Sequence, residues 1–196
     1  MTVWTRRLRA GELFVDVGAN AGLYTVLACE AGCDVISIEP LPDMLVQLRR
    51  NLELNSYEAK VVEAVLGDRE GDATIGGVDS QRSHLGTGSL TVRMTTLDEV
   101  VGDRDLHGLK VDVEGAERLV VEGGSALFSS QRVKAVQLEW NDRSEANFAE
   151  SREQLAHLLD RHGYELFRPD ENGDLQPTEP TVGSDVFALP RSEMMS

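Results

Sequence analysis

Lysine is scarce in this chain of 196 residues. Lys60, Lys110 and Lys134 are its only three, and 19 basic residues in all stand against 34 acidic ones. The formal net charge of −15 argues against a nucleic-acid backbone or an anionic membrane surface as partner, since both repel an acidic chain. No apolar run is long enough to cross a bilayer. Arg6, Arg7 and Arg9 are not followed by an apolar segment and cleavage site, so the N-terminus does not read as a secretory signal, and the cytoplasm is the expected location. Cysteine is scarce too. Cys29 and Cys33 flank Gly32 with no histidine nearby, too few ligands for a metal, and read as reduced, partly buried thiols. No metal is expected. What remains is ordinary: 41% hydrophobic and 27% charged residues, the composition of a globular α/β domain spanning residues 1–196.

A second glycine is missing where a dinucleotide site would need one. Leu13 to Val17 is an apolar run that fits a strand buried on both faces, broken only by Asp16. Gly18-Ala19-Asn20-Ala21-Gly22 follows, and then the helix-like Leu23 to Ala28. Strand, tight Gly turn and helix form a nucleotide-type binding unit, with free N–H groups at a helix N-terminus. The spacing D-x-G-x-x-x-G departs from G-x-G-x-x-G because Asn20 stands at the second glycine. It departs from a phosphate loop because Gly22 comes early and Leu23 replaces the lysine. An acidic strand end suits a cationic ligand head better than a pyrophosphate. S-adenosylmethionine, with an ammonium and a sulfonium, fits that description.

Further along, Asp34 to Glu39 is a short β-branched strand ended by Pro40 and Pro42, and 43–55 is an amphipathic helix. Lys60 to Val65 is a third strand. Residues 67–95 hold many glycines and few apolar anchors, and predict an irregular insertion with short strands near Ala73 and Leu90, of the kind often used as a lid. Thr96-Leu97-Asp98-Glu99 has capping-box spacing. Strands over 109–113 and 133–139 alternate with helices over 116–128 and 148–162. Closing strands near 164–168 and 182–189, joined by the turn 170–174, complete the set, and 191–196 is expected to fray. The pattern predicts a mostly parallel sheet with helices on both faces and an antiparallel hairpin at one edge.

Two further signals sit at strand ends. Glu39 lies about 20 residues past the Gly loop, where a carboxylate can take both ribose hydroxyls of a nucleoside. Lys110, Asp112 and Glu114 alternate along the fourth strand and are expected to share one face. Three charges there are costly unless paired or used. The plainer reading is a Lys110–Asp112 pair with Glu114 as a helix N-cap.

These residues resemble a known family. The run from Phe14 to Thr25, Ile38-Glu39-Pro40, 51–55, 64–68, 95–98 and Lys110-Val111-Asp112-Val113-Glu114-Gly115-Ala116-Glu117 look like the FkbM family of S-adenosylmethionine-dependent methyltransferases, in order from about Leu13 to Trp140. The resemblance implies the seven-stranded Rossmann-like methyltransferase sheet. It also implies O-methylation of a hydroxyl on a sugar or natural product. By that likeness Asp16, Gly18, Asn20 and Gly22 surround the methionine part, Glu39 holds the ribose, Pro40 borders the adenine, and Glu63 and Ala64 border its other side. Asp112 and Glu114 face the methyl group and the hydroxylated small-molecule acceptor, and Glu139, Trp140 and Asn141 line the acceptor pocket.

Family members usually carry more chain before the first strand, as a cap. With only residues 1–10 there, the cap is expected from residues 72–92 or from a second subunit of a homodimer, unless the chain is a shortened one. His84, in that insertion, is a candidate base; His107 precedes the fourth strand at the end away from the ligand crevice and reads as structural. Two other readings stand beside the methyltransferase: a non-catalytic S-adenosylmethionine-binding module acting with a partner protein, and a nicotinamide oxidoreductase, which the missing glycine disfavours.

Overall fold

The computed structural model describes residues 1–76, 84–85, 90–139, 152–179 and 185–194, with backbone alone at 84–85 and 193–194. In chain order the first elements are α1 (Thr2–Arg7), β1 (Leu13–Val17), α2 (Leu23–Glu30), β2 (Asp34–Ile38), α3 (Pro42–Asn55) and β3 (Lys60–Val62). Then come β4 (Val65–Leu66), β5 (Gly71–Gly76), β6 (His84–Leu85), β7 (Leu90–Thr95), α4 (Leu97–Val101) and β8 (Gly108–Val111). The last are α5 (Glu117–Gly123), α6 (Ser125–Ser129), β9 (Val136–Glu139), α7 (Arg152–Arg161), β10 (Tyr164–Pro169), β11 (Leu175–Pro177) and β12 (Asp185–Pro190).

β1 is buried at all five positions, as a strand between two helical layers must be. It sits inside an eight-stranded sheet of order β11-β10-β12-β9-β8-β1-β2-β3. β3, β2, β1, β8 and β9 run parallel, while β12 runs antiparallel to both β9 and β10. Alternation splits the faces. Leu13, Val15 and Val17 join the core formed with α4 to α7, while Phe14 packs with Trp4 of α1 and Leu27 and Ala28 of α2. Trp4 is fully buried, edge-on to Phe14 at 5.2 Å between ring centres.

The α/β class and the mostly parallel sheet are as the sequence predicts, and several details differ. The main sheet has eight strands, because the three-residue β11 adds an edge outside β10. An antiparallel hairpin does stand at one edge, but the turn at 170–174 joins β10 to β11 there, and β12 inserts between β9 and β10. The third strand stops at Val62, and Val65–Leu66 passes into a second sheet of order β4-β7-β5-β6. The short strands expected near Ala73 and Leu90 are β5 and β7, and they pair with each other and with β6 and β4 in that small sheet. The helix expected over 116–128 breaks at Gly123-Gly124, where a Cβ on Gly123 would lie 2.0 Å from the Gly67 carbonyl oxygen. The tail does not fray at once: Arg191–Met194 forms a 3-10 turn whose first N–H donates to the Gly163 carbonyl. Thr96 caps α4 as predicted, accepting from the Glu99 N–H at 3.2 Å.

Candidate active site

The Gly turn leaves β1 at the carboxyl edge of the parallel strands, where open α/β sheets bind ligands. Gly18 and Ala19 both donate to the Ile38 carbonyl at 3.0 Å, which ties the turn to the end of β2. Gly18, Asn20 and Gly22 take φ of 74°, 51° and 92°, the left-handed region that suits glycine and tolerates asparagine. The Asn20 carboxamide accepts from the Ala21 N–H at 2.7 Å, and Asn51 of α3 donates to the Ala21 carbonyl at 2.7 Å. The glycines also serve the protein's own packing. A Cβ on Gly18 would lie 1.9 Å from the Asp112 carbonyl oxygen, and one on Gly22 would meet Leu48 at 2.5 Å.

Asp16 is 2% exposed, and its carboxylate accepts from the Thr25 hydroxyl at 2.7 Å; Thr25 in turn touches Ser37 at 2.8 Å. Burial pushes the Asp16 carboxyl up to about 6, against the opposing pull of Thr25 and Lys110. Its charge is turned into the sheet–helix layer and not out into the loop. Thr25 and Ser37 do not stand out in the sequence, although a carboxylate in a buried strand calls for such partners.

Glu39 is 4% exposed. Its two carboxylate oxygens accept from the Asn20 N–H at 2.8 Å and the Leu41 N–H at 2.9 Å. Burial raises the carboxyl and these two bonds pull it back. An ionised carboxylate has about four lone-pair sites, so acceptor capacity remains beyond the two backbone donors. Pro40 is half-buried beside it. Ala64 is buried below the break after β3, while Glu63 is exposed and paired with Arg49 at 2.6 Å.

The carboxyl ends of β8 and β9 bring three acidic residues together. Oxygens of Asp112, Glu114 and Glu139 lie within 4.8 Å of one another. Strand alternation is not the cause, because β8 ends at Val111. Asp112 and Glu114 stand on the loop that follows, with Glu114 at φ 54° and Gly115 at φ 110°. A non-glycine residue held there costs energy and persists only where its surroundings enforce it. Glu117, 2% exposed, accepts from the Gly115 N–H at 3.1 Å and pins the loop. Glu114 is not the helix cap: α5 begins after Ala116 without a side-chain cap. The Lys110–Asp112 pair does form, at 3.3 Å, with the lysine side chain 3% exposed and that of Asp112 40% exposed.

Glu139 Oε2 is shut off from solvent and meets no N–H or O–H donor among the described residues. The Glu139 carboxyl also stands beside the Asp112 carboxylate, and two carboxylates can bond only if one carries a proton. Burial, together with Asp112 and Glu114, drives the Glu139 carboxyl up to about 8, so near neutrality it holds that proton. Three carboxylates at this spacing could hold a cation, but acidic groups are commonly so grouped without one, and no metal role is assigned.

Trp140 and Asn141, expected beside the acceptor, lie outside the described residues, as does the side chain of His84, a β6 residue whose backbone pairs with Gly76 of β5. His107 accepts weakly from the Leu13 N–H at 3.4 Å, at the far end of the sheet. Among the described residues no helix is long and apolar enough to cross a membrane.

A parallel sheet with one reversed strand between β9 and β10, a Gly turn after the central strand and an acidic end to its neighbour define the Rossmann-like methyltransferase class. Solved structures agree on the fold. The precorrin-6Y C5,15-methyltransferase of Geobacter metallireducens superposes with a TM-score of 0.57 at 13% identity, over 96% of this chain and 86% of that one. An rRNA methylase of Streptococcus thermophilus gives 0.55 at 12% identity, over 96% and 92%. SMU.1697c, a candidate methyltransferase of Streptococcus mutans solved in complex with SAH, gives 0.55 at 9% identity, over 95% and 93%. No curated protein matches. The methyltransferase FkbM domain matches residues 16–166, and the chain belongs to that family of S-adenosylmethionine-dependent methyltransferases, with S-adenosylmethionine as its cofactor.

Proposed function

We propose that this protein transfers a methyl group to a hydroxyl oxygen of a small molecule, a sugar or another natural product. The observation that carries the reading is the carboxylate cluster of Asp112, Glu114 and Glu139, which stands across the Gly18 turn from Glu39. Bound S-adenosylmethionine supplies an electrophilic methyl group. The turn from Gly18 to Gly22 would cradle its methionine part, and Glu39, with lone pairs to spare, would accept from its ribose hydroxyls. Pro40, Glu63 and Ala64 would flank the adenine. A neutral hydroxyl is a poor nucleophile, and the chain's own contribution is to orient it and take its proton. Asp112 suits the role of base, because it is partly exposed and stands 3.3 Å from the Lys110 ammonium. Glu139, protonated near neutrality, can donate to the acceptor oxygen's other lone pair and orient it. Orientation and base help together account for much of the rate such sites achieve.

The test is acceptor-dependent release of SAH from S-adenosylmethionine over a panel of hydroxylated sugars and polyketides. Methylation of at least one hydroxyl is expected. Asp112→Asn should lower that turnover on the order of 10²-fold, the usual worth of a general base, while SAH affinity stays close to wild type. Methylation of amine or carbon acceptors alone would replace this reading with another. Cofactor binding without turnover on any acceptor would favour the non-catalytic module.

A further inference from the structure

A row of polar side chains crosses the sheet directly beneath the site. Ser37 on β2, Asp16 on β1, Lys110 on β8 and Gln137 on β9 are register neighbours, Asp16 with both Ser37 and Lys110, and Lys110 with Gln137. All four are at most 2% exposed. Each has a partner from the helices above. Thr25 bonds Asp16, Tyr24 places its ring 5.3 Å from the Lys110 ammonium, and Gln137 accepts from the Trp4 indole at 2.5 Å while donating to the Tyr24 hydroxyl at 3.3 Å. The only cation in the row is therefore clamped from three sides. Its ammonium reaches up to Asp112 at 3.3 Å, and a second bond goes to the Val111 carbonyl at 3.4 Å.

Burying an ammonium costs several kcal/mol unless it is well paired. A structural counter-ion for Asp16 alone would not need to reach the strand end. Here one buried cation faces Asp16 below, Asp112 directly, and Glu114 and Glu139 across the cluster. We propose that Lys110 is the positioning residue of the acceptor side: its buried ammonium fixes the Asp112 carboxylate at the strand end and puts a positive field under the three-carboxylate cluster. The proposal rests on the methyltransferase reading for its purpose and on the geometry for its existence. A fixed ammonium attracts negative charge on every carboxylate near it, most strongly on the one it touches.

The experiment follows the Glu139 carboxyl by carbon-13 NMR as pH is varied, in the cofactor-free protein, with Glu139→Gln to assign the signal. SAH affinity is measured alongside by calorimetry. In Lys110→Met the Glu139 midpoint should rise by about one pH unit, the low end of what loss of an adjacent opposite charge does, with SAH affinity kept within about threefold. In Lys110→Arg, which keeps the charge, the midpoint should stay near wild type. Lys110→Met leaves Asp16 buried beside no cation, so the double variant Asp16→Asn/Lys110→Met, which removes both charges, is measured with it. A Glu139 midpoint that does not move in a folded Lys110→Met or double variant overturns the proposal, and so does failure of all three variants to fold. Failure of SAH to bind the wild type, with the midpoint still rising, would sink the methyltransferase reading and leave Lys110 in control of the cluster.

Discussion

Gly18→Ala measures how closely the Gly turn is fitted to the end of β8. Two costs add. Gly18 has φ 74°, and an alanine there costs about 1–2 kcal/mol for its left-handed backbone. The new Cβ would also lie 1.9 Å from the Asp112 carbonyl oxygen, where at least 3.0 Å is required. That backbone cannot simply retreat, because the Asp112 N–H donates to the Val17 carbonyl at 3.0 Å and holds β8 to β1. Overpacking of this kind costs about 1–3 kcal/mol, for a total of about 2–5. In a chain of this size each kcal/mol lowers Tm by about 2–4 °C, so a fall of about 4–20 °C is expected. Gly11→Ala is the control. Gly11 has φ 81°, and nothing lies within 4 Å of its would-be Cβ, so only the backbone cost applies, about 1–2 kcal/mol. Calorimetric melting of both variants without ligand isolates the clash as their difference. If the two lose the same Tm, the close approach of the turn to Asp112 is wrong. Gly18→Ala would then be free to report on the cofactor alone.

Other expectations follow from the buried carboxyls. Asp16 and Glu139 hold their protons in the folded state up to about 6 and about 8. Stability from this source is complete below the ordinary carboxylate range and is lost as pH rises through those values. Tm should therefore fall from pH 5 to 8 at constant ionic strength. Glu139→Gln should flatten the part between pH 6 and 8, and an unchanged slope in that variant would deny the shared proton. Glu39→Gln keeps one acceptor oxygen and loses the charge. It should weaken SAH binding about 10-fold to 100-fold, the worth of hydrogen bonds to a charged group at about 1.5–3 kcal/mol. Wild-type affinity in the folded variant would move the ribose elsewhere.

Local signals carried much of the fold. The apolar run of β1, the glycines after it, Pro42 at the first turn of α3 and Thr96 at the cap of α4 each state their structure within a few residues. What stayed hidden depends on distant partners. Val65 looks like a continuation of the third strand until its pairing with Met94 takes it into the second sheet. Tyr164–Pro169 and Asp185–Pro190 look like a simple hairpin, and nothing in either segment says that the later one pairs with β9 as well. The break between α5 and α6 is set by the Gly67 backbone, far away in sequence, pressing on Gly123. Close-packed interiors transmit such contacts without any local trace in the chain.

The site was legible as a set of residues more than as an arrangement. Asp112 and Glu114 were found, but through an alternation that the loop after Val111 does not keep. Their meeting with Glu139 comes from that loop's left-handed turn. The polar row beneath them was visible one residue at a time: Ser37, Asp16 and Lys110 are each the penultimate residue of a strand whose other buried positions are apolar. Parallel register turns that repeated position into one line, because neighbouring parallel strands that end together bring their penultimate residues side by side. A lone polar residue in a buried strand is usually satisfied locally. Three at the same depth below the carboxyl edge imply a shared network under the ligand crevice. In this chain that network contains its one buried lysine, the charge from which the cluster above takes its polarity.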